Sequence, residues 1–103
     1  MNIKEFQELL SAIEIYDLVF SNHFKLRAEE RGLDQFADVN QLHTILTTEV
    51  PKGIVDQENN KFQIIYRIND KYDAILICAV RNESPVRISL VTCIKQEAKR
   101  RVK

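Results

Sequence analysis

The spacing of apolar residues changes once along this chain, near residue 50, and that change limits the available folds more than any single motif does. Before it, Ile3, Phe6, Leu9, Leu10 and Ile13 recur at intervals of three and four, the stripe of an amphipathic helix. Asn2 is placed to cap that helix, and Glu5 three residues on is placed to complete a capping box. After it, Phe62, Ile64, Tyr66 and Ile68 alternate with Gln63, Ile65, Arg67 and Asn69, the period of a half-buried strand. A helical half followed by a strand half predicts an α+β fold: two or three N-terminal helices packed on one face of an antiparallel sheet of three to four strands.

The remaining elements follow from local punctuation. Tyr16 to Phe20 is aromatic and branched, and reads either as a short strand or as an extended approach to the next helix. Ser21 predicts the N-cap of a second helix running to about Arg31, with Gly32 ending it in a left-handed conformation. Asp34 is the predicted cap of a third helix, buried through Phe36, Val39, Leu42 and Leu46 and ending before Val50-Pro51. Residues 50–58 predict an outer strand, Asn69-Asp70-Lys71 a turn, and Tyr72 to Val80 a nearly continuous apolar strand covered on both faces or set deep in the sheet. A turn at Asn82 to Pro85 leads to a last strand, Arg87 to Lys95. On it Ile88, Leu90, Thr92 and Ile94 face oppositely to Arg87, Ser89, Val91, Cys93 and Lys95.

A chain of 103 residues fits one domain, spanning residues 1–103, and can bury roughly two-thirds of its unfolded surface without a metal or disulfide. With 45% hydrophobic and 29% charged residues, the composition excludes disordered and fibrous classes. Cys78 and Cys93 lie in apolar segments with no CxxC spacing, so they read as reduced core residues and point to a cytoplasmic setting. The start Met-Asn-Ile-Lys-Glu-Phe carries charge where a secretory signal is apolar. The longest apolar run, Ala74 to Val80, is far below the ~20 residues a membrane-spanning helix needs, so no membrane partner is expected. His23 and His43 have no Cys or paired carboxylate at ligand spacing, and no phosphate loop is present, so no metal or cofactor is expected.

Lysine plus arginine equal aspartate plus glutamate at 15 each, yet the charges are segregated. Residues 1–60 hold five basic and eleven acidic residues, and residues 61–103 hold ten basic and four acidic ones. Five of those ten lie between Lys95 and Lys103. Such a layout suits a polyanion or an acidic partner, the alternative being a solvated tail.

The most informative block is Ser21-Asn22-His23-Phe24-Lys25-Leu26-Arg27-Ala28-Glu29-Glu30-Arg31-Gly32-Leu33. His23, Arg27 and Arg31 recur at four-residue intervals on one helical face. Two arginines one turn apart cost an isolated helix about 0.2–0.5 kcal/mol, so the arrangement is not one that stability alone favours. A guanidinium forks two N–H groups onto two oxygens, which suits a phosphodiester, and an imidazole can move a proton in its cleavage. The structural alternative pairs the arginines with the carboxylates of the first half and leaves His23 at a helix start.

This block, His-x3-Arg-x3-Arg-Gly followed by an aliphatic residue, resembles the signature of a family of small domains of unknown function related to RelE/ParE and BrnT-type toxins. The resemblance implies helices followed by a curved antiparallel sheet with a basic concave face. It also implies a protein antitoxin as partner and RNA or the ribosome as target. Under it His23, Arg27 and Arg31 match the motif and are the catalytic candidates of a metal-independent endoribonuclease. The tail from Lys95 to Lys103 departs from RelE-like ribonucleases in lacking Tyr.

Arg67, Arg81, Arg87 and Lys95 are the further nucleic-acid-binding candidates, and Arg67, Arg87 and Lys95 would form a patch if their strands were neighbours. Tyr66 and Tyr72 are candidates either for packing or for stacking on a base. The functional expectation is a toxin-like cytoplasmic RNA-binding protein or ribonuclease, and the alternative is a non-catalytic interaction module on the same fold.

Overall fold

In the computed structural model, which describes residues 1–98, the helical and strand halves fall where the periodicity places them. Helix α1 spans Ile3–Ala12, α2 Asn22–Glu30 and α3 Val39–Thr48; the strands are β1 Leu18–Val19, β2 Gly53–Asp56, β3 Lys61–Arg67, β4 Tyr72–Glu83 and β5 Val86–Glu97. The basic tail at positions 99–103 lies outside the described residues.

The strands form one five-stranded sheet in the order β1-β5-β4-β3-β2. This corrects the expected three or four antiparallel strands, because β1 joins the edge of β5 in parallel, with Leu18 opposite Ile88 and Val19 opposite Ser89. The stretch Tyr16 to Phe20 thus holds the short strand, one of its two readings, while the parallel pairing with β5 is set by register rather than by local sequence. β4, the most apolar strand, sits at the centre of the sheet as its composition requires.

Local caps behave as the side chains dictate. The Asn2 carboxamide accepts from the Glu5 N–H at 2.8 Å and the Glu5 carboxylate accepts from the Asn2 N–H at 2.9 Å. The third helix begins later than expected: Asp34–Phe36 forms a separate 3-10 turn, and Asp38 caps α3 by accepting from Asn40 and Gln41. Two aspartates four residues apart compete for the cap, and burial of Phe36 in the intervening turn selects the second.

The core is one-sided. Phe62, Ile64, Leu76, Cys78, Ile88 and Cys93 from the sheet meet Phe6, Phe24, Leu33, Phe36 and Leu42 from the helical half. Phe6 and Phe62 stack with ring centroids 4.1 Å apart and planes 7° apart. On β5 the expected alternation breaks. Ile77 pairs with Thr92 and Cys78 with Leu90, leaving Val91 as an extra residue. The bulge reverses the phase beyond it, so Ile88, Leu90 and Cys93 face the core, while Ile94 falls on the opposite face. That opposite face carries one apolar row, Ile65, Ile75 and Ile94 aligned across three strands, flanked by rows that hold Gln63 and Thr92 on one side and Arg67, Asp73 and Gln96 on the other. No helix among the described residues is long and apolar enough to cross a membrane.

Candidate functional site

Helix α2 is short, and both of its ends are fixed by side chains the sequence makes obvious. The Ser21 hydroxyl accepts from the Phe24 N–H at 3.1 Å. At the other end Gly32, at φ +69°, closes a Schellman motif in which the Leu33 N–H bonds the Ala28 carbonyl at 2.8 Å and the Gly32 N–H bonds the Glu29 carbonyl at 3.1 Å. Ala28 and Leu33, both fully buried, supply the apolar contact of that motif. With Phe24 and Ala28 facing the core, the helix has one rotation available, and it turns His23, Leu26 and Arg27 to solvent.

The three residues of the sequence motif then part company. The side chains of His23 and Arg27 are exposed and make no hydrogen bond or ion pair among the described residues. Their i, i+4 spacing sets their Cβ atoms about 6 Å apart. Arg31, half-buried, instead donates through Nη1 to Thr92 Oγ1 at 3.3 Å and to the Cys93 carbonyl. β1 ends opposite Ser89, so among the described residues no strand pairs the outer side of β5 at this level, and Arg31 fastens the helix there. Burial raises the Cys93 thiol above its ordinary range, and the nearby Arg31 charge opposes that rise.

The other cations are dispersed. Arg81 donates to Ser89 Oγ at 3.1 Å, and Arg87 donates to the Val86 carbonyl at 3.1 Å and the Tyr16 carbonyl at 3.5 Å. Lys95 Nζ lies 4.7 Å from the centroid of the Tyr72 ring, close to Gly32 at the end of α2. Arg67 is ion-paired with Asp70. Its register partner is Asp73, while that of Lys95 is Ala74, so Arg67 and Lys95 lie on opposite faces of the sheet. Asn82 and Ala74, the β4 partners of Arg87 and Lys95, are separated by about 26 Å of strand. Arg67, Arg87 and Lys95 therefore form no common patch, since β4 intervenes between β3 and β5.

What the fold does assemble is an edge. β1 feeds α2 alongside β5 in the same direction, so Arg87 stands near its start, His23 and Arg27 along it, and Lys95 at its end. Tyr66, 5% exposed and edge-on to Phe36, packs in the core, whereas Tyr16 is 73% exposed beside Arg87. Sequence reasoning missed Tyr16 because it sits in an aromatic, branched stretch that reads as a short strand or an extended connection rather than as a site. The 3-10 turn Ile15–Asp17, pinned by the Glu14 N–H donating to Asp17 Oδ2 at 2.9 Å, turns its ring outward. Neither a groove of about 490 Å³ on the Lys25 and Glu29 side of α2 nor a cavity of about 240 Å³ between α1 and α3 includes His23, Arg27 or Arg31.

The model of the MJ0788 family matches residues 4–78, a stretch that runs from α1 through all of α2 into β4. The chain belongs to the MJ0788 family. That family, and not a RelE/ParE or BrnT-type toxin family, is the one the match names. The matched stretch includes His23, Arg27 and Arg31 and stops before β5, so Thr92 and Cys93, the Arg31 acceptors, lie beyond it. No curated protein and no solved structure matches the chain.

Proposed function

We propose that this protein is a toxin-like RNA-binding protein that lays a phosphodiester backbone along the α2–β5 edge, with a protein antitoxin as the partner that covers that edge. The observation carrying this reading is that His23 and Arg27 stand exposed and unpaired on α2, although residues 1–60 hold eleven acidic residues. A guanidinium left free in this way can fork onto two phosphate oxygens, and Lys95 and Arg87 extend the line in both directions. Arg31 and the Schellman turn hold the helix in place, so the row is presented rigidly.

The same geometry favours binding over cleavage. Attack by a ribose 2′-hydroxyl needs one group to take its proton and another to protonate the leaving 5′-oxygen. The row supplies one imidazole, His23, and a guanidinium, Arg27, which stabilises charge but does not give up a proton. Ribonuclease activity centred on His23 is therefore the stronger form of the proposal and RNA binding the weaker.

Binding of a fluorescent single-stranded RNA across a salt series tests it. The wild type should show log affinity falling linearly with log salt, and Arg27→Ala should flatten that slope by about 0.7, the value of one phosphate contact on a single strand. Expression without a partner should arrest growth in the wild type and not in His23→Ala/Arg27→Ala, with RNA loss in the same cells marking cleavage. Binding that ignores salt or Arg27 would overturn the reading.

A second reading, the interaction module, is favoured by a different observation. The sheet face away from the helices carries Ile65, Ile75, Ile77 and Ile94, of which Ile94 is exposed, Ile65 and Ile77 are half-buried and Ile75 is buried. A row of isoleucines that ends in the exposed Ile94 suits a protein partner or a second copy. Tolerated expression, together with self-association abolished by Ile94→Lys, would favour this reading over the first.

A further inference from the structure

Away from α2, a cavity of about 240 Å³ opens between the C-terminal halves of α1 and α3 and the loop into β2. Its walls are largely apolar, formed by Leu10, Leu46, Val50, Pro51 and Ile54. The hydroxyls in those walls are already used within their own helices: Ser11 donates to the Glu8 carbonyl at 2.8 Å, Thr47 to the His43 carbonyl at 2.8 Å and Thr48 to the Thr44 carbonyl at 2.5 Å.

Tyr66 is the exception. It lines the same cavity, is 5% exposed, and its hydroxyl is enclosed without any hydrogen-bond partner among the described residues. A buried phenol normally finds an acceptor, because leaving the O–H unpaired forfeits the bond it had with water. Burial, with smaller contributions from Cys78 and Glu49, pushes its titration far above the usual range, so the group stays a neutral donor.

We propose that this cavity is a binding site for a small neutral molecule, whose apolar body lies between α1 and α3 and whose carbonyl oxygen accepts the hydrogen bond that the Tyr66 hydroxyl leaves unmade. The volume falls below the ~300–1,000 Å³ of drug-sized pockets, which sets the ligand at fragment size. Glu49 on the wall disfavours a carboxylate and selects a neutral acceptor. Gln7 and Glu49, exposed and held by no side-chain hydrogen bond among the described residues, are the groups that swing aside for entry. The site is independent of the RNA reading, sharing no residue with the α2 row.

Acetophenone, and cumene as its isostere without the acceptor, are suitable probes for titration into the full chain followed by amide-resolved NMR. Both should shift resonances of residues 10–11, 46–50 and 54, and acetophenone should bind about fivefold more tightly. Tyr66→Phe keeps the ring and should erase that fivefold preference, while Ser11→Trp at the rim should block both probes and leave the remaining spectrum in place. Shifts scattered away from the cavity, or a preference for acetophenone that survives Tyr66→Phe, would overturn the proposal. Equal binding of the two probes by the wild type would do the same, marking the hydroxyl as one that water satisfies.

Discussion

Arg27 and Arg31 are chemically identical and one helical turn apart, so replacing each in turn separates the two jobs that a cationic row can do. Arg31→Ala removes a charged donor from the Thr92 hydroxyl and from the Cys93 carbonyl, and leaves that carbonyl unpaired in a half-buried position. Hydrogen bonds to charged groups contribute about 1.5–3 kcal/mol each when buried; for a half-exposed guanidinium a total near 2 kcal/mol is the reasonable figure. A domain of this size loses roughly 4 °C of Tm per kcal/mol, so Arg31→Ala should melt about 8 °C lower than the wild type. The Arg27 side chain holds nothing comparable among the described residues, and Arg27→Ala should stay within ~0.5 kcal/mol, about 2 °C. Arg31→Lys should recover about half of the loss, because an ammonium keeps the charge without the fork. Thermal melts followed by far-UV circular dichroism at fixed salt measure all three variants. Equal losses for Arg27→Ala and Arg31→Ala, or a larger one for Arg27→Ala, would refute the assignment of Arg31 to the fold.

Other positions give sharper single readings. Gly32→Ala should cost about 1 to 2 kcal/mol in urea unfolding: a Cβ there meets nothing nearer than Lys95 Nζ at 3.8 Å, so the loss is that of placing an L-residue at φ +69°. Phe62→Ala removes the stacking partner of Phe6 from a fully buried site and should cost about 3–5 kcal/mol, seen as a shifted urea midpoint. Burial pushes the Cys78 thiol up to about 12, so it should resist alkylation at pH 8 until the chain unfolds. Because folding raises that value, the folded state holds the proton more tightly than the unfolded one. Stability is therefore complete below the ordinary thiol value near 9 and is lost as pH climbs from there toward 12, by up to ~1.4 kcal/mol per unit per group. Denaturant titrations at pH 8, 9.5 and 11 read that slope, and Tyr66 should steepen it above pH 10.

The features legible in the sequence are those whose causes lie within a few residues. The Asn2–Glu5 capping box, the Ser21 cap, the Gly32 stop and the Asn69 turn, whose side-chain oxygen accepts from the Lys71 and Tyr72 N–H groups at 2.8 Å, are all local chemistry. The misreadings have long-range causes. Alternation along β5 could not reveal that Val91 is an extra residue, because the bulge is defined by the register against β4. One inserted residue exchanges Cys93 for Thr92 and Ile94 on the core face. Likewise, the i, i+4 row of His23, Arg27 and Arg31 was visible, but the contact that distinguishes Arg31 bridges 62 residues to Cys93. Tyr66, read as a packing or stacking side chain, could not be seen as an orphaned donor until α1 and α3 were placed over it.

These long-range features are connected. The bulge at Val91 carries Thr92 and Cys93 to the place where the Arg31 guanidinium donates to both. The Schellman turn at Gly32 stops α2 at the level where Arg31 can reach them. Without the extra residue, strict alternation would turn Thr92 toward the core beside Leu90, and the acceptors would be lost. Arg31 is thus the clasp of the edge on which His23 and Arg27 are displayed, which gives the RNA reading a distinctive consequence. Arg31→Ala should weaken RNA binding by loosening the helix, with little change in salt slope, whereas Arg27→Ala should change the slope itself. A loss of about 0.7 from the slope in Arg31→Ala would mean that Arg31 leaves β5 to meet the phosphate, and the clasp would then be a switch.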